Sequence, residues 1–447
     1  MSQPYRAKPR NKVLIITYYW PPSGGPGVQR VLKFAKYLPD FGWEPIVLTV
    51  KDGDYPAEDD SLKNEGIGDI TVIKISEFSV LKWYKKIFRI KGGIPTHVLS
   101  GSKDDSIFQR IAKWIRINLF LPDARCFWSW AISNYGPKLI REYKPDIILS
   151  SSPPHSLQLG ALKLAKKTGL KWIVDFRDPW TDGFWLKDVG RSAVADKLDK
   201  RMEQKVLNQC DALITVSPSI KGLLLAKGVN DKCSIVYNGY DSDDFNGIPD
   251  IHNDDAYRIV YTGSLRKSQI PHNFLKAISR FILEHDTITV KLEFFGSIHP
   301  EILALCEEYN ISKNVVYHGY VDHREVIAQM CSADLLLLLI PDKPQNEGIL
   351  TGKIFEYLGS GNSILGIGPT SGDAAMILNK VDRCDFYEYD QDIYDQLTQI
   401  INSSIGSKRI KNTPPAEYAR RNQTGELARI FNPVSYTHLT LPTTPYV

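Results

Sequence analysis

The stretch Lys12–Arg30, KVLIITYYWPPSGGPGVQR, decides the fold class of this chain. Its first part, Lys12–Trp20, is almost continuously apolar, which is typical of a strand that is covered on both faces of a sheet. A turn rich in Gly and Pro follows, and from Val28 the apolar residues recur at helical spacing. A strand, a loop and a helix in this order indicate a parallel sheet with helices packed on it.

The alternation of strands and helices continues along the chain and starts again near residue 257. In the first half we predict strands at Pro45–Val50, Ile70–Ile75, Asp146–Ser151, Trp172–Phe176 and Ala212–Ser217. In the second half we predict them at Tyr257–Ser264, Val290–Ser297, Asn314–Tyr320, Asp334–Ile340 and Ser363–Gly368. The sequence therefore predicts an α/β fold with two doubly wound parallel-sheet domains, residues 1–250 and 256–432. Ligands would bind in a cleft at the carboxyl ends of both sheets.

The composition excludes several classes of protein. The 447 residues are 43% hydrophobic and 24% charged, an ordinary globular mix, and the net charge of +4 is too mild for a protein that coats nucleic acid. The six cysteines are scattered without a Cys-x-x-Cys pair, which argues against a disulfide framework or a thiolate zinc site. No apolar run approaches the roughly 20 residues of a transmembrane helix. We expect a cytoplasmic protein with no nucleic-acid partner.

Two segments of the first half are basic and aromatic, namely Phe78–Ile90 and Ile107–Leu121. Helices of this kind can lie in the interface of an anionic membrane, but ordinary packed helices with snorkelling bases have the same pattern. Trp114, flanked by Lys113 and Arg116, slightly favours the interface. Peripheral contact with the inner face of the cytoplasmic membrane is therefore an expectation, and the packed alternative stays open.

The end of the chain differs from the rest. Residues 434–447 read VSYTHLTLPTTPYV, without charge and rich in Thr and Pro. The stretch resembles translated adaptor sequence, so we interpret residues 433–447 as a non-native tail and leave them out of the fold prediction. A natural disordered tail is the alternative.

Two loops of the first half carry candidate binding groups. In the loop Ser23–Arg30, Gly24 and Gly25 let the backbone approach an anion, and the helix N-terminus supplies N–H donors. This loop matches neither a dinucleotide fingerprint nor a P-loop. After the strand Trp172–Phe176, Arg177 offers a cation for a phosphate or carboxylate, and Asp178 a carboxylate for a hydroxyl. A structural ion pair is the alternative for this second loop.

The second half carries the more informative candidates. TGSLRKS, residues 262–268, places Arg266 and Lys267 beside a glycine, which suits a diphosphate. Lys353 and Glu356 are three residues apart and share one face of a predicted helix. A lysine at a helix N-terminus suits phosphates, and an acid one turn deeper suits ribose hydroxyls. A mere surface pair is disfavoured because the other residues of this helix are largely apolar.

In this order and spacing, the motifs resemble those of the retaining GT-B-fold glycosyltransferases of the family 4 type, especially those of bacterial polysaccharide biosynthesis. The resemblance covers residues 12–431. Its motifs are the glycine-rich loop, DALITVSPS at 211–219, VYNGYDSDDF at 236–245, YTGSL at 261–265, VVYHGYV at 315–321 and GKIFEYLGSGNSILGIGP at 352–369.

The resemblance implies a reaction and a separate binding role for each domain. A sugar would pass from a nucleotide-diphosphate sugar to a hydroxyl of a lipid-linked or cell-surface glycan with retained configuration, and the enzyme would need no cofactor. The N-terminal domain would bind the acceptor and the C-terminal domain the nucleotide sugar. We predict no metal, because the Asp-x-Asp pairs at 52/54, 241/243 and 390/392 lie in acidic loops where chance matches are common.

The resemblance also assigns roles to residues. Glu356 would bind ribose, and Gly24 and Gly25 would approach the donor. The sugar-contacting histidine of the family falls at Arg177, which is followed by Asp178, and both are our catalytic candidates. Residues of the donor diphosphate site would be Gly263, Ser264, Arg266, Lys267 and Lys353.

Three positions depart from the family pattern. Ser264 stands at the usual arginine, Gln269 at the usual lysine, and Gly348 at the first of two glutamates. These departures keep two alternatives open: a GT-B-fold nucleotide-sugar 2-epimerase, and a catalytically impaired relative that binds nucleotides or glycans. In this fold the last helix often returns to the N-terminal domain, and an end near Phe431 would remove it.

Overall fold

The computed structural model describes residues 11–55, 58–59, 62, 70–77, 114–183, 190–229, 232–248, 255–405 and 411–436. The chain forms two compact units. The first contains the residues up to Tyr237 and those from Gln423 onwards, and the second contains Asn238–Asn422.

The first unit is built on a seven-stranded parallel sheet in the order β3-β2-β1-β4-β5-β6-β7. Its strands are β1 Asn11–Thr17, β2 Trp43–Lys51, β3 Thr71–Ser76, β4 Ile147–Ser152, β5 Lys171–Phe176, β6 Ala212–Thr215 and β7 Cys233–Ile235. Its helices are α1 Pro26–Tyr37, α2 Cys126–Tyr143, α3 Ser156–Thr168, α4 Ala193–Gln209 and α5 Pro218–Leu225.

The second unit repeats the design with a six-stranded parallel sheet in the order β10-β9-β8-β11-β12-β13. Its strands are β8 Tyr257–Thr262, β9 Val290–Phe295, β10 Val315–Gly319, β11 Leu335–Leu339, β12 Ser363–Ile367 and β13 Cys384–Tyr387. Its helices are α6 His272–Glu284, α7 Pro300–Glu308, α8 His323–Ser332, α9 Gly352–Ser360, α10 Asp373–Leu378 and α11 Tyr394–Ser404. The last helix, α12 Arg420–Tyr436, carries the chain back to the first unit.

The continuous apolar strands are buried because both faces of each sheet are covered. Val13, Ile15 and Ile16 of β1 and all of β11 have almost no exposed surface. The strand order reverses beside β1 in the first sheet and beside β8 in the second. Loops at the carboxyl ends of the strands that flank such a reversal are where ligands bind in this class of fold.

The sequence analysis did not predict the short edge strands β7 and β13. Each has only three or four residues, and β13 is half-buried throughout. Edge strands of this kind lack the long apolar run that marks the central strands.

The unit boundaries differ from the predicted domains 1–250 and 256–432. The first unit ends at Tyr237, before the predicted linker, and takes back the chain from Gln423. The physical reason is α12, whose Leu427, Ala428 and Phe431 pack into the core of the first unit. The expectation that this returning helix is lost near Phe431 is wrong, since α12 continues to Tyr436, four residues into the predicted tail.

Some predictions made from the sequence concern residues outside the described ranges. The segment Phe78–Ile90 lies there entirely, Ile107–Leu121 is described only from Trp114, and the predicted tail is described only as far as Tyr436. Within the described part of the chain, no helix is both long and apolar enough to cross a membrane.

Candidate functional site

The turn after β8 meets the first turn of α9 in the second unit. Lys353 Nζ donates a hydrogen bond of 2.7 Å to Tyr261 Oη, and the ammonium lies 4.2 Å from the centre of the tyrosine ring. Tyr261 Oη in turn donates to the carbonyl oxygen of Ser264 at 3.0 Å. Gly263 has φ +96°, and a Cβ there would lie 2.6 Å from Lys353 Cε. Tertiary structure thus brings together three of the predicted donor-site residues: Gly263, Ser264 and Lys353.

The ammonium of Lys353 lies where burial disfavours its charged form. Burial is the main cause that lowers the pKa of its ammonium to about 8, with Glu356 opposing the shift and the nearby Arg266 adding to it. Thr351, the N-cap residue of α9, has a buried Oγ1 with no hydrogen-bond partner among the described residues. A buried ammonium and a hydroxyl without a described hydrogen-bond partner, both at one helix N-terminus, are suited to an anionic ligand.

Glu356 lies one turn further along α9 among groups of both signs. Burial raises the pKa of its carboxyl, the charges of His323 and Arg420 lower it, and the charge of Asp244 raises it. His323 Nε2 is 3.6 Å from Asp244 Oδ2, and this contact raises the pKa of the imidazole. The sequence analysis found Glu356 but missed His323 and Arg420. Asp244 belongs to the motif VYNGYDSDDF quoted above. This motif was therefore the sequence signal that could have indicated charged groups near Glu356.

The remaining donor-site candidates lie at the surface of the same turn. Arg266 is exposed but close enough to Lys353 to affect its pKa. Lys267 forms an ion pair with Glu301 at 3.2 Å. Gln269 is buried, donates to the carbonyl oxygen of Leu339 at 2.9 Å and accepts from the backbone of Arg266. The glutamine that stands at the family's lysine therefore stabilises the turn.

Arg177, in the first unit, is buried and donates hydrogen bonds to three main-chain carbonyl oxygens. Its Nε donates to Ser152 O at 3.0 Å, its Nη2 to Pro153 O at 2.8 Å and its Nη1 to Gly27 O. A side chain on Gly27 would collide with the guanidinium. Arg177 thus fastens the glycine-rich loop to the end of β4. This geometry favours a positioning role over the predicted catalytic one.

Asp178 and His155 lie next to Arg177. No hydrogen bond joins the half-buried carboxyl of Asp178 to another described residue, and burial raises its pKa. His155, from the loop after β4, stacks on Trp180 with ring centres 5.2 Å apart. Burial lowers the pKa of its imidazole to about 3, so the ring is neutral at pH 7. This corner therefore offers a carboxyl and a neutral imidazole.

The glycine-rich loop has the geometry expected of an anion-binding turn. Gly25 is the N-cap residue of α1, with φ +98°, and no acidic residue occupies the first turn of that helix. Gly24 approaches Asp59 closely, because a Cβ at Gly24 would lie 3.1 Å from Asp59 Cβ. The positive backbone conformation explains the glycine at position 25, which a side chain would strain.

Arg30 explains why this loop departs from a dinucleotide fingerprint. Its Nε and Nη2 donate to the two carboxylate oxygens of Asp175 at 3.0 and 2.9 Å. Its Nη1 donates to Val236 O at 2.7 Å, close to where the chain leaves the first unit. The position that a fingerprint gives to glycine is therefore occupied by a buried structural arginine.

Among the residues that the structure describes, no group of three or more His, Cys, Asp or Glu side chains could hold a metal ion. The Asp-x-Asp pair at 241/243 instead shapes its own turn, since Asp241 Oδ1 accepts from the backbone N–H of Asp243.

Part of the chain matches a known protein family. Residues 25–244 match the sequence model of Glycosyltransferase Family 4. No curated protein matches the sequence.

Solved structures extend the likeness to the whole fold. A glycosyltransferase from Rickettsia africae ESF-5 is 15% identical, with a TM-score of 0.57 over 96% of both chains. Anabaena Alr3699/HepE, crystallised with UDP-glucose, is 13% identical, with a TM-score of 0.52 over 96% of this chain and 100% of its own. A putative UDP-N-acetylglucosamine 2-epimerase from Listeria monocytogenes is 12% identical, with a TM-score of 0.52 over 99% and 100%. Identities this low show the fold alone. The chain therefore has the two-sheet GT-B fold of these structures, and residues 25–244 are similar to Glycosyltransferase Family 4.

Proposed function

We propose that the protein transfers a sugar from a nucleotide-diphosphate sugar to a hydroxyl acceptor, a lipid-linked or cell-surface glycan, with retention of configuration. The observation that carries the proposal is the contact of Lys353 with Gly263 and Tyr261 at the N-terminus of α9, with Glu356 one turn away. The fold is also that of an Anabaena protein crystallised with UDP-glucose.

In this proposal the second unit binds the donor, the nucleotide-diphosphate sugar. Lys353, Arg266 and the N-terminal amides of α9 bind the diphosphate, and Glu356 accepts hydrogen bonds from the ribose hydroxyls. Diphosphate charge grows as the sugar leaves, so a buried ammonium beside it stabilises the transition state more than the ground state. Because these cations neutralise the leaving group, we propose that the reaction needs no metal and no cofactor.

The first unit contributes its glycine-rich loop and the corner at Asp178. The N-terminus of α1 at Gly24 and Gly25 is suited to an anionic group, and Arg177 keeps the loop in place through Gly27. Asp178 offers its carboxyl to a hydroxyl of sugar or acceptor. The acceptor hydroxyl attacks the front face of the sugar, and the enzyme acts through positioning and charge stabilisation.

Calorimetric titration of the protein with UDP, GDP, ADP and CMP tests the donor site. We expect one nucleoside diphosphate to bind best, and Glu356→Ala to weaken that binding at least tenfold, which is about 1.4 kcal/mol, the contribution of one charged hydrogen bond. The matched control is Glu307→Ala, on the exposed face of α7, which should leave the affinity unchanged. A folded protein that binds none of the four nucleotides would refute the donor site and favour the catalytically impaired relative.

The epimerase is the second candidate, because a putative 2-epimerase shares the fold over the full length of both chains. The two reactions differ in their need for an acceptor. An epimerase converts UDP-N-acetylglucosamine without one, whereas a transferase leaves the donor sugar's configuration at C2 unchanged. Proton NMR of the donor after incubation without an acceptor distinguishes them, and we expect no epimerised sugar.

A further inference from the structure

A groove opens on the first unit between α2, α3 and α4, away from the residues assigned above. It encloses about 330 Å³ and is lined by the apolar side chains of Leu159, Leu162 and Met202. Trp130 of α2 forms part of the lining although 64% of its surface is exposed. A large aromatic side chain left in solvent beside an apolar groove is typical of a contact surface.

Three lysines line the same groove: Lys163, Lys166 and Lys205. All three are exposed, and none forms an ion pair with another described residue. The acids of α4 pair with other residues. Asp196 pairs with Lys200 at 2.8 Å. On the buried side of the helix, Asp199 binds Arg191 and Trp180, and Glu203 binds Lys227. The groove therefore presents positive charge around an apolar floor.

The apolar surface continues from the groove along α4. Leu198 and Val194, at four-residue steps from Met202, lie on the same face of the helix and are exposed. Asn118 accepts a hydrogen bond of 2.7 Å from the backbone of Ser192, so the exposed Leu119 lies close to the start of α4. This face combines apolar side chains with unpaired cations over the length of one helix.

We propose that this face docks on an anionic phospholipid bilayer, with a lipid phosphate in the groove and the apolar side chains of α4 and Trp130 in the headgroup region. Tryptophan and aliphatic side chains enter the interface, while lysines reach anionic headgroups. A second copy of the chain fits poorly, because a two-fold contact would bring the same unpaired lysines together. This inference concerns attachment and does not depend on which sugar is transferred.

Sedimentation of the full chain with vesicles tests the proposal. We expect strong binding to vesicles of phosphatidylcholine with a quarter phosphatidylglycerol, and little binding to pure phosphatidylcholine. The triple variant Lys163→Glu/Lys166→Glu/Lys205→Glu should bind at least tenfold more weakly, and so should Trp130→Ala. The matched control reverses three exposed lysines of the second unit, Lys276→Glu/Lys291→Glu/Lys380→Glu, and should keep most of the binding.

Each other outcome overturns the proposal. Equal binding to both kinds of vesicle, or an equal loss in the control variant, would show that the groove lysines do not recognise an anionic bilayer. Competition by inorganic phosphate at millimolar concentration would show a site for small anions. A dimer in sedimentation velocity that Trp130→Ala dissociates, without vesicle binding, would assign the face to a second copy. Circular dichroism and nucleotide affinity verify that each variant is folded.

Discussion

At the scale of the residue, Lys353 is the side chain on which the proposed donor site most depends. Its ammonium is buried against Gly263 and Tyr261, which removes water from the charge and lowers the pKa to about 8. A bound diphosphate would have the opposite effect, because a nearby anion favours the protonated form. The lysine therefore binds most strongly where it is still charged.

The affinity for a nucleoside diphosphate should accordingly fall as the pH rises from about 7.5 to 9.5. Protonated Lys353 attracts the phosphates, and the neutral amine that dominates above a pKa of about 8 does not. We expect about a tenfold loss over this interval, measured by calorimetry at constant ionic strength. Lys353→Met should bind weakly and lose this pH dependence, whereas Lys276→Met should keep it. An unchanged slope in Lys353→Met would refute the assignment.

At the scale of the element, α1 is fastened to β5 by one buried ion pair. Arg30 and Asp175 are both almost completely buried, and Asp175 also accepts a hydrogen bond from Ser151 Oγ at 2.7 Å. Removing one partner of such a pair leaves an uncompensated buried charge. The helix that follows the glycine-rich loop therefore depends on a contact that lies outside the proposed donor site.

Arg30→Met should destabilise the first unit by about 3–5 kcal/mol, and Arg30→Met/Asp175→Asn should recover at least half of that loss. The amide keeps the hydrogen bond to Ser151 but removes the buried charge. Tryptophan fluorescence during urea unfolding reports on this unit alone, because all nine tryptophans precede Tyr237 in the chain. Arg141→Met, at an exposed position of α2, should cost less than about 0.5 kcal/mol. A double variant no more stable than Arg30→Met would contradict the charge argument.

At the scale of the whole molecule, the chain is not a simple string of two domains. It leaves the first unit at Tyr237 and returns at Gln423, and the backbone N–H of Tyr237 donates to Gln423 Oε1 at 2.6 Å. Phe431 of α12 is fully buried and packs edge-on against Trp43 at 5.0 Å. Completing the core of the first unit thus requires residues from the far end of the sequence.

Phe431→Ala should therefore destabilise the first unit by about 3–5 kcal/mol, as the loss of a buried aromatic side chain does elsewhere. Deletion of residues 437–447, which we interpret as non-native, should leave the stability unchanged. The fluorescence-detected urea transition measures both. A destabilising deletion would show that the tail contributes to the fold, and a neutral Phe431→Ala would show that α12 does not hold the core.

Much of the fold could be predicted from local sequence alone. Continuous apolar runs such as Val13–Ile16 and Leu335–Leu339 indicate buried parallel strands, since only a sheet covered on both faces buries every residue of a strand. The glycine after β8 and the lysine in the first turn of α9 were recognised because strand ends and helix N-termini carry local signals. The sequence by itself therefore determined the two parallel sheets and the identity of the residues at their carboxyl ends.

The tertiary structure decided which of those residues meet. Arg177 contacts Gly27 and Pro153, Lys353 contacts Gly263, and His323 lies near Glu356. Each of these partners is separated by many residues, and strand order alone makes them neighbours. The tertiary structure also decided that α12 completes the first unit. The physical reason is that backbone periodicity is a local property, whereas the partner of a side chain depends on which strand ends and helices the packed sheets place side by side.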